Sequence, residues 1–174
     1  TIFWGASENS GYDNDISGIG RDDTSGLNQK VAKSINEGAI LTIALDADFT
    51  VGNNDAARTT THTNDKQFLV VANNGATTTS QTTELEASTG FNIRLAREWK
   101  VDVTNITQNI NLKFDGYDET WSIIASTDGD FSTGTTTIGA LNSDGEFTTT
   151  SALADGTVMT LAKFQEAPGG ALTG

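Results

Sequence analysis

The chain has 174 residues, a length that fits one domain and can bury about 70% of its unfolded surface with no help from metal or disulfide. Ten Lys and Arg stand against 23 Asp and Glu, a net charge of −13 that argues against nucleic acid and anionic membrane surfaces and makes divalent cations the natural counter-charge. The absence of Cys removes disulfides, thiolate zinc sites and cysteine nucleophiles, and a single His, His62, leaves little for His-based metal or acid–base chemistry, so an enzyme is not expected.

Abundant Thr and Gly with one Pro suit half-buried strands joined by tight turns, and no apolar run reaches the length of a membrane span. Residues 1–30 are dense in Gly, Asp, Asn and Ser and read as an irregular, loop-rich lead-in. The apolar runs 39–45 and 67–72 read as buried strands, the second stopped by the turn signal Asn73-Asn74-Gly75. The Thr-rich stretches 53–65 and 76–83 carry no period and are expected to be exposed loops.

Along 91–103, Phe91, Ile93, Leu95, Trp99, Val101 and Val103 share one parity, which predicts a strand with one face in the core. Arg97 falls on that apolar parity, so either a β-bulge near Ala96 shifts the register or a guanidinium lies beneath the sheet. Five more strands are predicted at 108–114, 121–126, 135–141, 146–150 and 157–164, separated by Asp-Gly turns. This spacing predicts an all-β fold, an antiparallel two-sheet β-sandwich over 1–165, with Ile110, Leu112, Trp121 and Ile123 also in its core. The tail 166–174, with Pro168 and paired Gly, reads as a linker to a following domain, and the opening Thr suggests a piece of a longer chain.

The densest polar constellation is 13–23. Asp13, Asp15, Ser17 and Gly18 match the opening of a calcium loop, and a non-helical calcium site is expected from Asp13, Asp15, Asp22 and Asp23. The alternative is that these acids cap turns by bonding their own backbone. Weaker echoes of the same pattern lie at Asp46/Asp48/Thr50 and Asp128/Asp130/Ser132, and Asp115, Asp118 and Glu119 form a further acidic loop. Trp4 and Tyr12 are the aromatics best placed to meet a ligand, with Arg21 beside them in the polar stretch. Arg21 and Arg97 are each expected to meet a carboxylate or carbonyls and to be less exposed than Arg58 and Lys163.

The stretch YDNDISGIGRDDTSGLNQKVAKS (12–34), with LAREWKV (95–101) and LADGTVMTLAKF (153–164), resembles an uncharacterised bacterial surface-protein module found beside concanavalin-like jelly-roll domains in large secreted proteins and adhesins. The resemblance implies an extracellular or cell-surface setting, with other domains of the same long chain as partners, and a host or biofilm glycan or peptide as a further possible one. The expected function is a non-enzymatic structural or adhesive module, stabilised by calcium. The alternatives are a calcium-assisted carbohydrate- or peptide-binding adhesin domain, or a fibre subunit joined by strand exchange.

Overall fold

The computed structural model describes residues 3–166, so Glu166 alone of the expected linker is included, and it is exposed. Two antiparallel sheets face each other. In chain order the strands are β1 (Asn14–Asp22), β2 (Leu27–Gln29), β3 (Val31–Lys33), β4 (Leu41–Ala44), β5 (Gln67–Asn73), β6 (Ser80–Gln81), β7 (Ile93–Leu95), β8 (Trp99–Thr104), β9 (Asn111–Phe114), β10 (Ser122–Ser126), β11 (Thr136–Ala140), β12 (Glu146–Thr148) and β13 (Val158–Lys163). The larger sheet runs β11-β10-β13-β8-β5-β1-β2, with β7 continuing the β8 line beside β13 and β6 paired to β7. The smaller runs β12-β9-β4-β3. The chain passes from one sheet to the other at Lys30, between β2 and β3.

The core between the sheets contains Ile93, Leu95, Trp99, Val101, Ile110, Leu112, Trp121 and Ile123, as the strand parities predict, and the Trp99 and Phe114 rings meet edge-on at 5.2 Å. Phe91 differs. It packs, partly buried, with Ile124, Phe131, Val158 and Ala162 in a second cluster. Residues of both parities along β10 and β13 are buried, so the large sheet is covered on its outer face as well. Irregular chain supplies the cover: the Phe3 and Phe68 ring centres lie 4.1 Å apart, Asn9 bonds Asp102, and the Lys100 ammonium bonds the Glu8 carbonyl.

The 91–103 segment is bulged. Five residue steps separate Arg94 from Trp99, but three separate their partners Ala162 and Met159, so two residues are extra. An even insertion keeps parity, which is why Ile93, Leu95, Trp99 and Val101 all remain in the core while Arg97 leaves it. Thr160, fully buried in β13, closes the gap by donating its hydroxyl to the Arg97 carbonyl at 2.7 Å.

The irregular lead-in is corrected by β1. Residues 14–22 form the longest strand of the domain, paired with β5 through Arg21↔Gln67 and Ile19↔Leu69. Gly18 and Gly20 hide this strand from a reading of hydrophobic pattern, yet both are needed. A Cβ on Gly20 would lie 2.4 Å from the Phe68 ring, and one on Gly18 3.0 Å from the Leu69 carbonyl.

The Asp-Gly turns are not equivalent. Gly145 has φ +74°, and a Cβ there would stand 2.5 Å from the Phe114 carbonyl and 2.7 Å from that of Tyr117, whereas Gly116, at φ +84°, faces open space. Gly145→Ala is therefore expected to cost about 3 kcal/mol and Gly116→Ala about 1 kcal/mol, from left-handed strain with and without a backbone clash. Equal melting temperatures for the two variants would refute this.

Candidate functional site

Strand β1 sets the positions of the four acids of 13–23, and it separates them. Asp15 and Asp22 lie seven residues apart on it, roughly 20 Å at strand rise, so Asp13/Asp15 and Asp22/Asp23 cannot share one ion. Among the described residues no group of three or more His, Asp or Glu is arranged to hold a metal.

At the far end of β1 the acids are engaged by cations and turns. Arg21 grips Asp23 with two bonds, Nε at 2.7 Å and Nη2 at 3.0 Å, and its Nη1 donates to the His62 carbonyl. Asp22 accepts from the Thr24 and Ser25 amides and from the Lys66 ammonium. The Lys66 bond holds the Asp22 carboxyl below the usual range, and the Arg21 bond does the same for Asp23. The weaker calcium echoes are Asx turns: the Thr50 amide donates to Asp48, the Asp130 amide to Asp128 and the Ser132 amide to Asp130.

Tyr12 is half-buried and its hydroxyl donates to Glu98 at 3.0 Å; burial first, then the Glu98 charge, pushes the phenol pKa up. The other Glu98 oxygen accepts from Arg94 at 2.9 Å. Arg94, on the polar parity of its segment, is wholly buried between the sheet and its outer cover, with Phe131 facing its guanidinium at 4.9 Å. It also donates to the carbonyls of Leu95 and Glu84 and to the Glu84 carboxylate. The signal for this burial was present in the apolar runs IIA (123–125) and LA (161–162), which occupy both faces of the neighbouring strands. Trp4 is partly exposed and lies outside this network.

Two residues expected in exposed loops are buried. Arg58, not Arg21 or Arg97, is the most buried of the arginines compared above: its guanidinium is enclosed by Asp46 and the carbonyls of Asp48 and Val51. Arg21 meets Asp23, and Arg97 meets the carbonyls of Ala76 and Gly38, as expected of both. Lys163 is partly buried, its ammonium 4.5 Å from the centre of the Trp121 ring. His62 is 1% exposed; its Nε2 meets the Gln29 carbonyl at 2.9 Å and its Nδ1 has no partner among the described residues. Burial pulls the imidazole below its ordinary 6.5, so the unfolded chain takes the proton first. Stability is then fully present above pH 6.5 and falls as pH drops toward the folded value, by at most about 1.4 kcal/mol per pH unit for one proton. The lowered Asp groups act only below their ordinary 3.8, so a decline between pH 6.5 and 5 that His62→Phe abolishes would identify the histidine.

The two sides of the sandwich close differently. On one, the Phe147 ring of β12 occupies the place a Cβ on Gly139 of β11 would take, 2.3 Å away. On the other, β2 pairs only with Gly20–Asp22, and among the described residues no strand pairs with 14–19 on that side. There a cavity of about 500 Å³ opens between β1 and the segment 32–36, with Asp13 and Asp15 on its rim. Asp15 accepts from Asn36 and Asn73 and lies 3.9 Å from Arg97; Lys33, on the opposite wall, is paired with Asp115. A second hollow of about 170 Å³, lined by Phe3, Leu27, Phe68 and Val70, lies on the outer face, and Gly18 borders both.

The fold and its ties define an antiparallel β-sandwich domain whose irregular segments are fastened by buried charge. The chain belongs to a family described as a domain of unknown function, DUF8202, whose model matches residues 1–157. No curated protein and no solved structure matches it. No helix among the described residues is long and apolar enough to cross a membrane.

Proposed function

We propose that this domain is a non-enzymatic structural module of a large extracellular bacterial protein, a rigid unit joined to other domains of the same chain. The observation that carries the reading is the fastening of its irregular segments by fully enclosed guanidiniums: Arg58 ties 46–52, and Arg94 ties Thr83 and Glu84 to the sheet. Charged residues in a chain of net charge −13 are thus spent on internal ties, which suits a spacer that must hold its shape. The surface-protein setting rests on the resemblance of 12–34, 95–101 and 153–164. The test is replacement of the domain, within the full-length protein, by an unrelated β-sandwich of the same end-to-end length. Retained surface display and adhesion are expected; lost adhesion with intact display would overturn the spacer reading.

Calcium is the part of this proposal with the least geometric support, since the Asp22/Asp23 oxygens already meet Arg21, Lys66 and backbone amides. Asp15 accepts from Asn36 and Asn73 and faces Arg97, so Asp13, which accepts from Asn14, is the least engaged of the four. Saturating calcium would add about 2.7 kcal/mol at a hundred times Kd, a readable rise in Tm over sodium at equal ionic strength. Equal melting temperatures in the two salts would remove calcium from the reading.

A further inference from the structure

We propose that the open edge of β1 takes up an extended cationic strand from another polypeptide, which adds to the large sheet beside residues 14–19. This goes beyond the spacer reading and does not depend on it. Exposed sheet edges are templates for strand addition, and proteins that avoid it cover them or place Lys, Pro or bulges along them. Here a register shift between Asn14 and Ser17, with Asp15 at φ 53°, protects the start of the edge, but Ile16–Ile19 continues without Lys or Pro. Large apolar side chains collect around it: Ile16 is 48% exposed, Leu27 40%, and Ile35 fully.

The two hollows that share Gly18 dictate what the added strand carries. Alternate side chains of a strand point to opposite faces, so one set would enter the cavity between the sheets and the other the outer hollow. The outer hollow, with Phe3, Leu27, Phe68 and Val70, takes apolar side chains. The cavity is rimmed by Asp13 and Asp15; Lys33 on its wall is held by Asp115, and Arg97, 3.9 Å from Asp15, offsets one of the two carboxylates, so the rim keeps a negative charge and takes basic ones. A second copy of this chain is the poorer occupant, because it brings −13 against −13.

The experiment uses a fluorescein-labelled nine-residue peptide of alternating valine and lysine, with a valine–glutamate peptide as control. Saturable binding of the lysine peptide is expected at low salt, with amide shifts confined to the residues lining the two hollows, 13–20, 27–29, 32–36 and 68–70, and at least tenfold weaker binding in 0.5 M salt. The double variant Ile16→Lys/Leu27→Lys, both sites being exposed, is expected to keep the wild-type Tm and weaken binding at least tenfold. No saturable binding, equal binding of the glutamate peptide, amide shifts elsewhere, or a self-associated species that the peptide cannot displace would each overturn the proposal.

Discussion

Replacing Arg94 with methionine is expected to destabilise the domain by about 3–5 kcal/mol, a fall in Tm on the order of 10 °C for a chain of this size. Methionine supplies apolar volume beneath Phe131 but no donor. The Glu98 carboxylate, with a side chain only 12% exposed, would keep the Tyr12 hydroxyl and lose its cation, and the carbonyls of Glu84 and Leu95 would lose theirs. Glu84, more than half exposed, turns to water and adds little to the loss. The size of the effect therefore comes from stranding a buried charge, more than from losing an attraction. Arg94→Met combined with Glu98→Gln should recover part of the stability, because the stranded charge is gone. A single variant melting within 2 °C of the wild type would show that the guanidinium is not needed to hold the outer cover.

Arg58→Ala is expected to act locally. Its guanidinium meets Asp46 and the carbonyls of Asp48 and Val51, all within the loop that follows β4. Truncation costs about 2–4 kcal/mol, less than at Arg94, because Asp46 and the freed carbonyls can reach water once the loop opens. The measurement is limited proteolysis: cleavage between 46 and 65 should accelerate well below the melting transition, while the sheets stay intact. Uniform cutting that tracks global unfolding would mean that the loop and the sandwich are one cooperative unit.

The eight strands expected from alternation and turn signals are present, and the Arg97 discrepancy resolves as the bulge. Legibility stops at positions where a residue's partner is distant in sequence. The β1 segment has the sequence of a loop because Gly18 and Gly20 erase its alternation, and only the Phe68 ring, 48 positions after Gly20, explains why glycine is required there. His62 and Arg58 sit in a stretch whose composition is that of a solvated loop, yet they fold inward onto Gln29 and Asp46. Arg94 has the parity of a solvent-facing residue, and it is buried because the outer face carries a third layer built from irregular chain.

The sequence by itself determined the β class, the Asp-Gly turn positions and the inner face of the strands over 91–103, 108–114 and 121–126, since a period of two and Asp-Gly turns are local properties of neighbouring residues. It also exposed the acid-rich character of 13–23. What those acids do was decided by tertiary structure. Extending β1 along β5 draws Asp13/Asp15 and Asp22/Asp23 to opposite ends of a strand, hands the second pair to Arg21 and Lys66, and leaves the first at the rim of an unpaired edge. Strand pairing joins residues that are far apart in the chain through backbone groups common to all of them, so neither the partner of β1 nor the side left open is written in its own residues.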